Sequence, residues 1–443
     1  MKSFVLIIRR KLWLLFDGNR FNRTACFQDS LSFHYGTLEM CKRLKHLRTM
    51  ASDKNNRRKF VRNVLTTSVG LSVAPAVIGN KKTQVAKAGQ RVARDPEWRN
   101  RQSGMAYRRF GDTGMMVSEI VMGTTPWKDN SYFRIIETSL EKGINYIDTA
   151  PAYSRGEAEK VIGRYFKDSG NRDDVFVSSK ISFYDEFMRQ LIDEIVDGLP
   201  SENKSDLEKR ALEMIDERGV LKPGYHFKYF KGQDNKFKTA YIRHLVLEEY
   251  GARKKWKPKI KARMHELVDN SLKALKTDYL DVLHCPHGVA MPEMLDDENI
   301  PEVFEALKKS GKIRFSALSM HNDVAANLDK AVELGHYDGA MIAYNIGNHA
   351  SLERSILNAN QAGMGLVAMK VARAVSNPGM DIPQWRIQKL NDAIPQEMSI
   401  QSKAYLWALQ NQNISCCVSE MPTGEAVADN TAVTGRKIEI GLV

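Results

Sequence analysis

From residue 105 onward, short apolar β-like runs alternate with amphipathic helical segments, and this alternation restricts the fold more than any other feature of the chain. The strand candidates are "VSEIVMG" (117–123), "INYID" (144–148), "DVFVSSK" (174–180), "YLDVLH" (279–284), "IRFSALS" (313–319), "GAMIAYN" (339–345), "GLVAMK" (365–370) and "ISCCVS" (414–419). Segments with apolar residues at i, i+3 and i+4, such as "SYFRIIETSLEKG" and "SIQSKAYLWALQN", separate them. Eight parallel strands with eight crossovers close most simply into an α/β fold of the (β/α)8 TIM barrel type. A doubly wound open sheet is the competing topology. It usually carries a glycine-rich phosphate turn after its first strand, and none is present.

One connection is out of proportion. About 95 residues separate the third and fourth strands, where a single crossover helix needs roughly 20–25. The surplus, 182–258, is read as a helical insertion. It leaves from the carboxyl end of a strand, so it starts on the face where barrel active sites are built. There it would act as a lid or a partner-binding platform, and Tyr225, Phe227, Tyr229 and Phe230 would offer flat surface for stacking on a sugar ring.

The net charge of +13 suggests nucleic acid until its distribution is considered. Residues 1–88 carry 18 Lys and Arg against 4 Asp and Glu, which leaves 48 basic and 49 acidic groups in 89–443. The globular part is near neutral, so a phosphate-backbone footprint is not expected. In 50–88, Arg57-Arg58-Lys59-Phe60 precedes the mildly apolar "VLTTSVGLSVAPAVI" (64–78) and the small-x-small site Ala86-Lys87-Ala88. This is the layout of a twin-arginine-type signal peptide, whose pathway exports folded proteins. The expected partner is the export machinery and the expected location periplasmic or otherwise extracytoplasmic in a bacterium. The apolar stretch is too short and polar to span a bilayer, and no stable membrane insertion is expected after cleavage. Residues 1–49 read as upstream translation before a start at Met50, 89–104 as a linker, and 105–443 as the barrel. Cys285, Cys416 and Cys417 show no framework spacing, and the last two, within "ISCCVSEM", read as core.

Polar residues at the carboxyl ends of barrel strands are the first candidates for chemistry. Asp148 ends the second strand, with Tyr153 five residues on; Lys180 ends the third and His284 the fourth. Alternation puts Val282 and His284 on one face, so His284 points into the barrel mouth, while His287 lies in the loop beyond Pro286. Together the four suit carbonyl reduction. A tyrosine hydroxyl titrates near 10, a neighbouring lysine ammonium lowers that value, and Asp148 would hold the lysine charged. A metal-dependent barrel enzyme using His284, His287, His321 and His349 is an alternative, but the spacings match no zinc pattern and no metal is expected.

The set Asp148, Tyr153, Lys180 and His284 resembles the catalytic tetrad of the aldo-keto reductases, nicotinamide-dependent enzymes on a (β/α)8 barrel. The flanking words "RRFGDTGMMVSEIVMGT", "GINYIDTAPAYS", "VSSK", "DYLDVLH", "GKIRFSALS" and "ADN" agree in order. The resemblance implies Tyr153 as general acid, Lys180 and Asp148 as its tuners, and His284 as the group that orients the carbonyl. It also implies that Gly123, Thr124, Asp148, Ser319, Met369, Lys370, Asp429 and Asn430 line the cofactor site, Lys370 facing phosphate and Asp429-Asn430 the adenine. Departures fall in that site: Met320 and Met341 replace the usual carboxamide-binding Asn and Gln, and Met369 the usual stacking aromatic. Glu420 and Ala426 stand where cations often grasp the 2′-phosphate, so NAD is favoured over NADP. Export favours a tightly held cofactor and a carbonyl or sugar substrate. The other class of function is a non-redox binding module on a reductase barrel.

Overall fold

Each of the eight apolar runs contributes a strand to one closed parallel barrel in the computed structural model, which describes residues 93–182, 184–251 and 253–440. The expected upstream segment (1–49) and signal peptide (50–88) lie outside the described residues. The barrel strands are β1 (Ile120–Gly123), β2 (Tyr146–Asp148), β3 (Phe176–Lys180), β4 (Leu280–Val289), β5 (Ile313–Met320), β6 (Gly339–Ala343), β7 (Gly365–Met369) and β8 (Cys416–Glu420). They pair in chain order, and β8 closes on β1 through Glu420 opposite Gly123. Among the described residues no helix is long and apolar enough to cross a membrane.

Alternation along the strands divides the core in two. Val121, Tyr146, Phe176, Val282, Phe315, Val367 and Cys416 fill the barrel interior, while the opposite strand faces pack against the helices. Cys416 and Cys417 are free and buried, each a small hydrophobe.

The run 117–123 is two strands, not one. Met115–Ser118 pairs antiparallel with Tyr107–Arg109, and β1 begins only at Ile120. Glu119 makes the break, turned aside to Arg108 at 2.6 Å. This hairpin plugs the amino-terminal face, with Phe110, Met115 and Val117 entering the interior core. A Cβ at Gly365 would lie 2.4 Å from the Phe110 ring and one at Gly339 2.6 Å from it, so the first residues of β7 and β6 are shaped to this plug. Phe110→Ala is expected to lower unfolding free energy by about 3–5 kcal/mol, read as a fall in the urea midpoint.

The expected linker is folded in part. Glu97–Trp98 pairs parallel with Met115–Met116. Glu97 bonds Arg99 at 2.8 Å and also meets Arg314, while Asp281 takes Arg314 at 2.5 Å and Arg172 at 3.0 Å. The domain therefore starts before 105.

Four helices follow β3: Tyr184–Asp197, Ser201–Arg218, Gln233–Tyr250 and Arg253–Leu275. The last is the barrel's own crossover helix. It meets helix Glu157–Ser169 so closely that a Cβ at Gly163 would lie 2.1 Å from the Ala274 carbonyl oxygen. The insertion thus ends near 251, and the expected boundary at 258 falls inside a helix that continues through Pro258. Ala211, Ile215, Phe237 and Tyr241 of the inserted helices share a cluster with Ala290 and Met291, just beyond β4. That contact seats the insertion at the carboxyl face.

Candidate active site

Parallel register brings the three strand residues Asp148, Lys180 and His284 together: Asp148 stands opposite Ser178, and Lys180 opposite His284. Lys180 Nζ donates to both Asp148 carboxylate oxygens at 2.7 Å and to the Thr149 carbonyl at 2.8 Å. Ser178 Oγ adds a further donor to Asp148 at 2.7 Å. Burial by itself would lower the Lys180 pKa; the Asp148 carboxylate and Tyr153 outweigh it and leave the ammonium above its ordinary value. The lysine is held charged.

Tyr153 opens a short 3-10 turn after β2, half-buried, with Lys180 Nζ 4.8 Å from its ring centre and within hydrogen-bonding reach of its hydroxyl. The next three residues, Ser154, Arg155 and Gly156, all have positive φ, and Ser154 Oγ is tied to the Thr125 carbonyl at 3.0 Å. Non-glycine residues in that region cost about 1–2 kcal/mol each. The turn is held against its own preference, as loops at reactive sites often are. The Tyr153 pKa differs from expectation. Lys180 pulls it down, but burial of the hydroxyl, together with Asp148 and Glu420, leaves it above its ordinary value. Burial is the largest of these contributions, and Asp148 opposes the lysine's pull.

His284 is fully buried, and its Nδ1 lies 3.1 Å from the Leu318 carbonyl. A carbonyl only accepts, so Nδ1 carries the proton. Burial, with the Lys180 charge beside it, lowers the ring pKa to about 4, so the ring is neutral near pH 7. Nε2 therefore bears a lone pair, and it is buried without a partner. In this state Nε2 can accept a hydrogen bond but not donate one. Keeping this ring neutral also costs stability in acid. The unfolded chain binds a proton at His284 below about 6.5 while the folded chain does so only below about 4, so stability should fall as pH drops through that window. The expected loss is about 3 kcal/mol, absent from His284→Gln, in urea unfolding compared at pH 7 and 4.

His287 lies in an irregular extension of β4 instead of a loop, with Nδ1 2.9 Å from Ser182 Oγ and its ring 6.4 Å from that of Tyr153. His321 lies against Phe230 instead, at 5.6 Å, and His349 sits over Trp407 at 5.1 Å. Among the described residues, no three His, Cys, Asp or Glu side chains are grouped to hold a metal ion. Of the four insertion rings, only Phe230 lines the cavity over the barrel mouth. Tyr225 donates to Asp323 at 2.5 Å, Tyr229 accepts from Asn345 at 2.9 Å, and Phe227 is buried.

The residues that the resemblance assigns to a cofactor stand at the carboxyl ends of β1 and β5 to β8 and just beyond. Gly123 ends β1, and Thr124 Oγ1 bonds the Asp148 carbonyl at 3.1 Å. Ser319 stands opposite both His287 and Met341, and Met341 and Met369 belong to the interior core. Met320 packs outside that interior. Lys370 follows β7 with a φ of 60°. Burial and nearby Arg373, only partly offset by Glu420, pull its ammonium down to about 8, and among the described residues it has no hydrogen-bond or ion-pair partner. A desolvated, unpaired cation fits a phosphate. Arg373, unremarked in the sequence, joins Glu420 at 2.9 Å and Asn377 at 2.9 Å. Asn430 is buried with its amide on Ser419 Oγ at 3.0 Å, whereas Asp429 is exposed.

Comparison with known proteins agrees with this geometry. The chain is 27% identical over 224 residues to aldo-keto reductase YhdN of Bacillus subtilis, covering 48% of this chain and 47% of that protein. It is 24% identical over 282 residues to aldo-keto reductase AMT2 of Alternaria alternata, covering 60% and 64%. These alignments span about half to just under two thirds of the relatives' lengths. The holo form of aldo-keto reductase AKR11C1 from Bacillus halodurans shares the fold, with a TM-score of 0.50 at 20% identity over 75% of this chain and 92% of that one. The profile of the Aldo/keto reductase family matches residues 114–220 and 237–373, and β8 with Glu420, Ala426, Asp429 and Asn430 lies beyond the match. With more than half of its length so matched, the chain belongs to the aldo/keto reductase family.

Proposed function

We propose that this chain is a nicotinamide-dependent oxidoreductase that interconverts a carbonyl and an alcohol at Tyr153, and that it is exported folded by the twin-arginine route. The observation that carries the chemistry is the buried cluster of Tyr153 over Lys180, locked to Asp148, beside the unpartnered Nε2 of His284. Tyr153 gives its proton to the carbonyl oxygen in reduction and takes one from the alcohol in oxidation. The Lys180 ammonium stabilises the phenolate left behind. His284 Nε2 accepts the alcohol O–H before oxidation and after reduction, and that hydrogen turns to the Tyr153 phenolate when oxidation begins. Lys370 would hold phosphate and Ser319 the nicotinamide end; the bound cofactor would supply or accept the hydride.

NAD is favoured over NADP, because Glu420 stands at the end of β8 and occupies Arg373. A sugar substrate loses three of the four rings that motivated it. Analysis by mass spectrometry of nucleotide released from the purified exported protein tests the reading, with NAD in near-stoichiometric amount expected. Absence of bound nucleotide and of binding on addition would favour the non-redox module, for which the buried amide of Asn430 and the core-packed Met341 and Met369 speak.

A further inference from the structure

Between the inserted helices and the barrel mouth lies a cavity of about 670 Å³. It reaches Ala152 and His287, which flank Tyr153 in sequence and in space, and Ser182, two residues beyond Lys180. Most of its wall is apolar: Met188, Ile192, Phe230, Leu247 and Ile260 contribute, as does Trp256. Its charged lining is already satisfied within the protein. Glu293 is paired with Arg218, the Asp297 carboxylate accepts from Asn299 at 2.9 Å, and Arg243 and His244 have partners of their own. A charged ligand entering here would lose its hydration against a mainly apolar wall. Buried polar atoms of the wall include Trp256 Nε1 and Asn299 Oδ1, neither with a hydrogen-bond partner; Trp256 is 4% exposed.

We infer that this chamber is the substrate-body site of the enzyme and takes an uncharged, mainly apolar molecule of several rings. That molecule carries an oxygen acceptor for Trp256 in addition to its reacting carbonyl. The inference rests on the reading of Tyr153 as the reacting end. The volume lies within the roughly 300–1,000 Å³ common for sites that enclose compact organic ligands. The insertion and the barrel build it together: Met188, Ile192 and Leu247 come from the inserted helices, and Trp256 and Ile260 from the crossover helix Arg253–Leu275. The inserted segment is thus part of a wall that selects by size and polarity.

Nile red, an uncharged four-ring dye with a carbonyl acceptor, reports occupancy through its blue-shifted emission without any turnover. The full chain is expected to bind one dye saturably. Ala240→Trp and Leu247→Trp fill the chamber from two places, and each should weaken binding about tenfold or more. Trp256→Phe, which removes the indole N–H, should weaken it several-fold. A second arm compares kcat/KM for biphenyl carbaldehyde with that for benzaldehyde. The wild-type ratio should be about ten or more and should fall toward one in the filling variants. Circular dichroism melting identifies any variant that fails to fold. Dye binding that ignores both filling variants when they are folded, or a wild-type ratio near one, overturns the assignment. Specific dye binding with neither aldehyde turned over would leave the chamber standing and remove the redox reading instead.

Discussion

Tyr153→Phe is expected to lower kcat/KM for carbonyl reduction by about 10²–10⁴-fold, the range that a positioned general acid supplies. The substitution removes one oxygen and keeps the ring, so its packing beside His287 and over Lys180 should survive. Loss of rate with an unchanged melting curve and unchanged cofactor affinity would then report the proton transfer itself. The pH profile adds a second readout. The tyrosine sits above its ordinary pKa because burial outweighs the pull of Lys180, so it stays protonated throughout the neutral range. Reduction, which consumes that proton, should be flat near neutrality and fail only in alkali. Oxidation, which needs the phenolate, should rise toward alkaline pH. A loss smaller than about tenfold in Tyr153→Phe would mean that another group or water delivers the proton.

The barrel and the cluster at its carboxyl face were legible because both follow from local rules. Each strand is an apolar run, and a polar residue that ends such a run must sit at a barrel mouth, which locates Asp148, Lys180 and His284 without any long-range information. What periodicity cannot report is the partner of a face. Tyr225, Phe227 and Tyr229 look like surface aromatics in an insertion, yet they are consumed by Asp323, Asn345 and burial against Gly347, contacts about 100 residues away in the chain. Trp256 gave no signal for the same reason. The His284 tautomer was equally invisible, since it depends on one carbonyl of a neighbouring strand. The break at Glu119 is invisible in the sequence because its marks are contacts with distant groups, Arg108 and the Gly435 amide.

Asp148→Asn is expected to damage both stability and activity, and a second substitution should separate the two. Lys180 is 1% exposed and spends its donors on Asp148, Thr149 and the neighbourhood of Tyr153. Removing the carboxylate's charge leaves a buried ammonium facing a neutral amide, a defect that typically costs about 3–5 kcal/mol. Burial, no longer opposed, should then lower the lysine's pKa, and a lysine that sheds its proton gives Tyr153 no cation against which to form phenolate. Unfolding in urea should therefore shift to lower midpoint, and turnover should fall with it. The double variant Asp148→Asn with Lys180→Met removes the stranded charge as well. Most of the lost stability should return, because an uncharged side chain of similar length pays no ionic desolvation, while activity should stay absent. If Asp148→Asn alone unfolds within about 1 kcal/mol of wild type, the pair is not the buried, mutually dependent unit described. If the double variant regains turnover, the positive charge on Lys180 is not what Tyr153 requires.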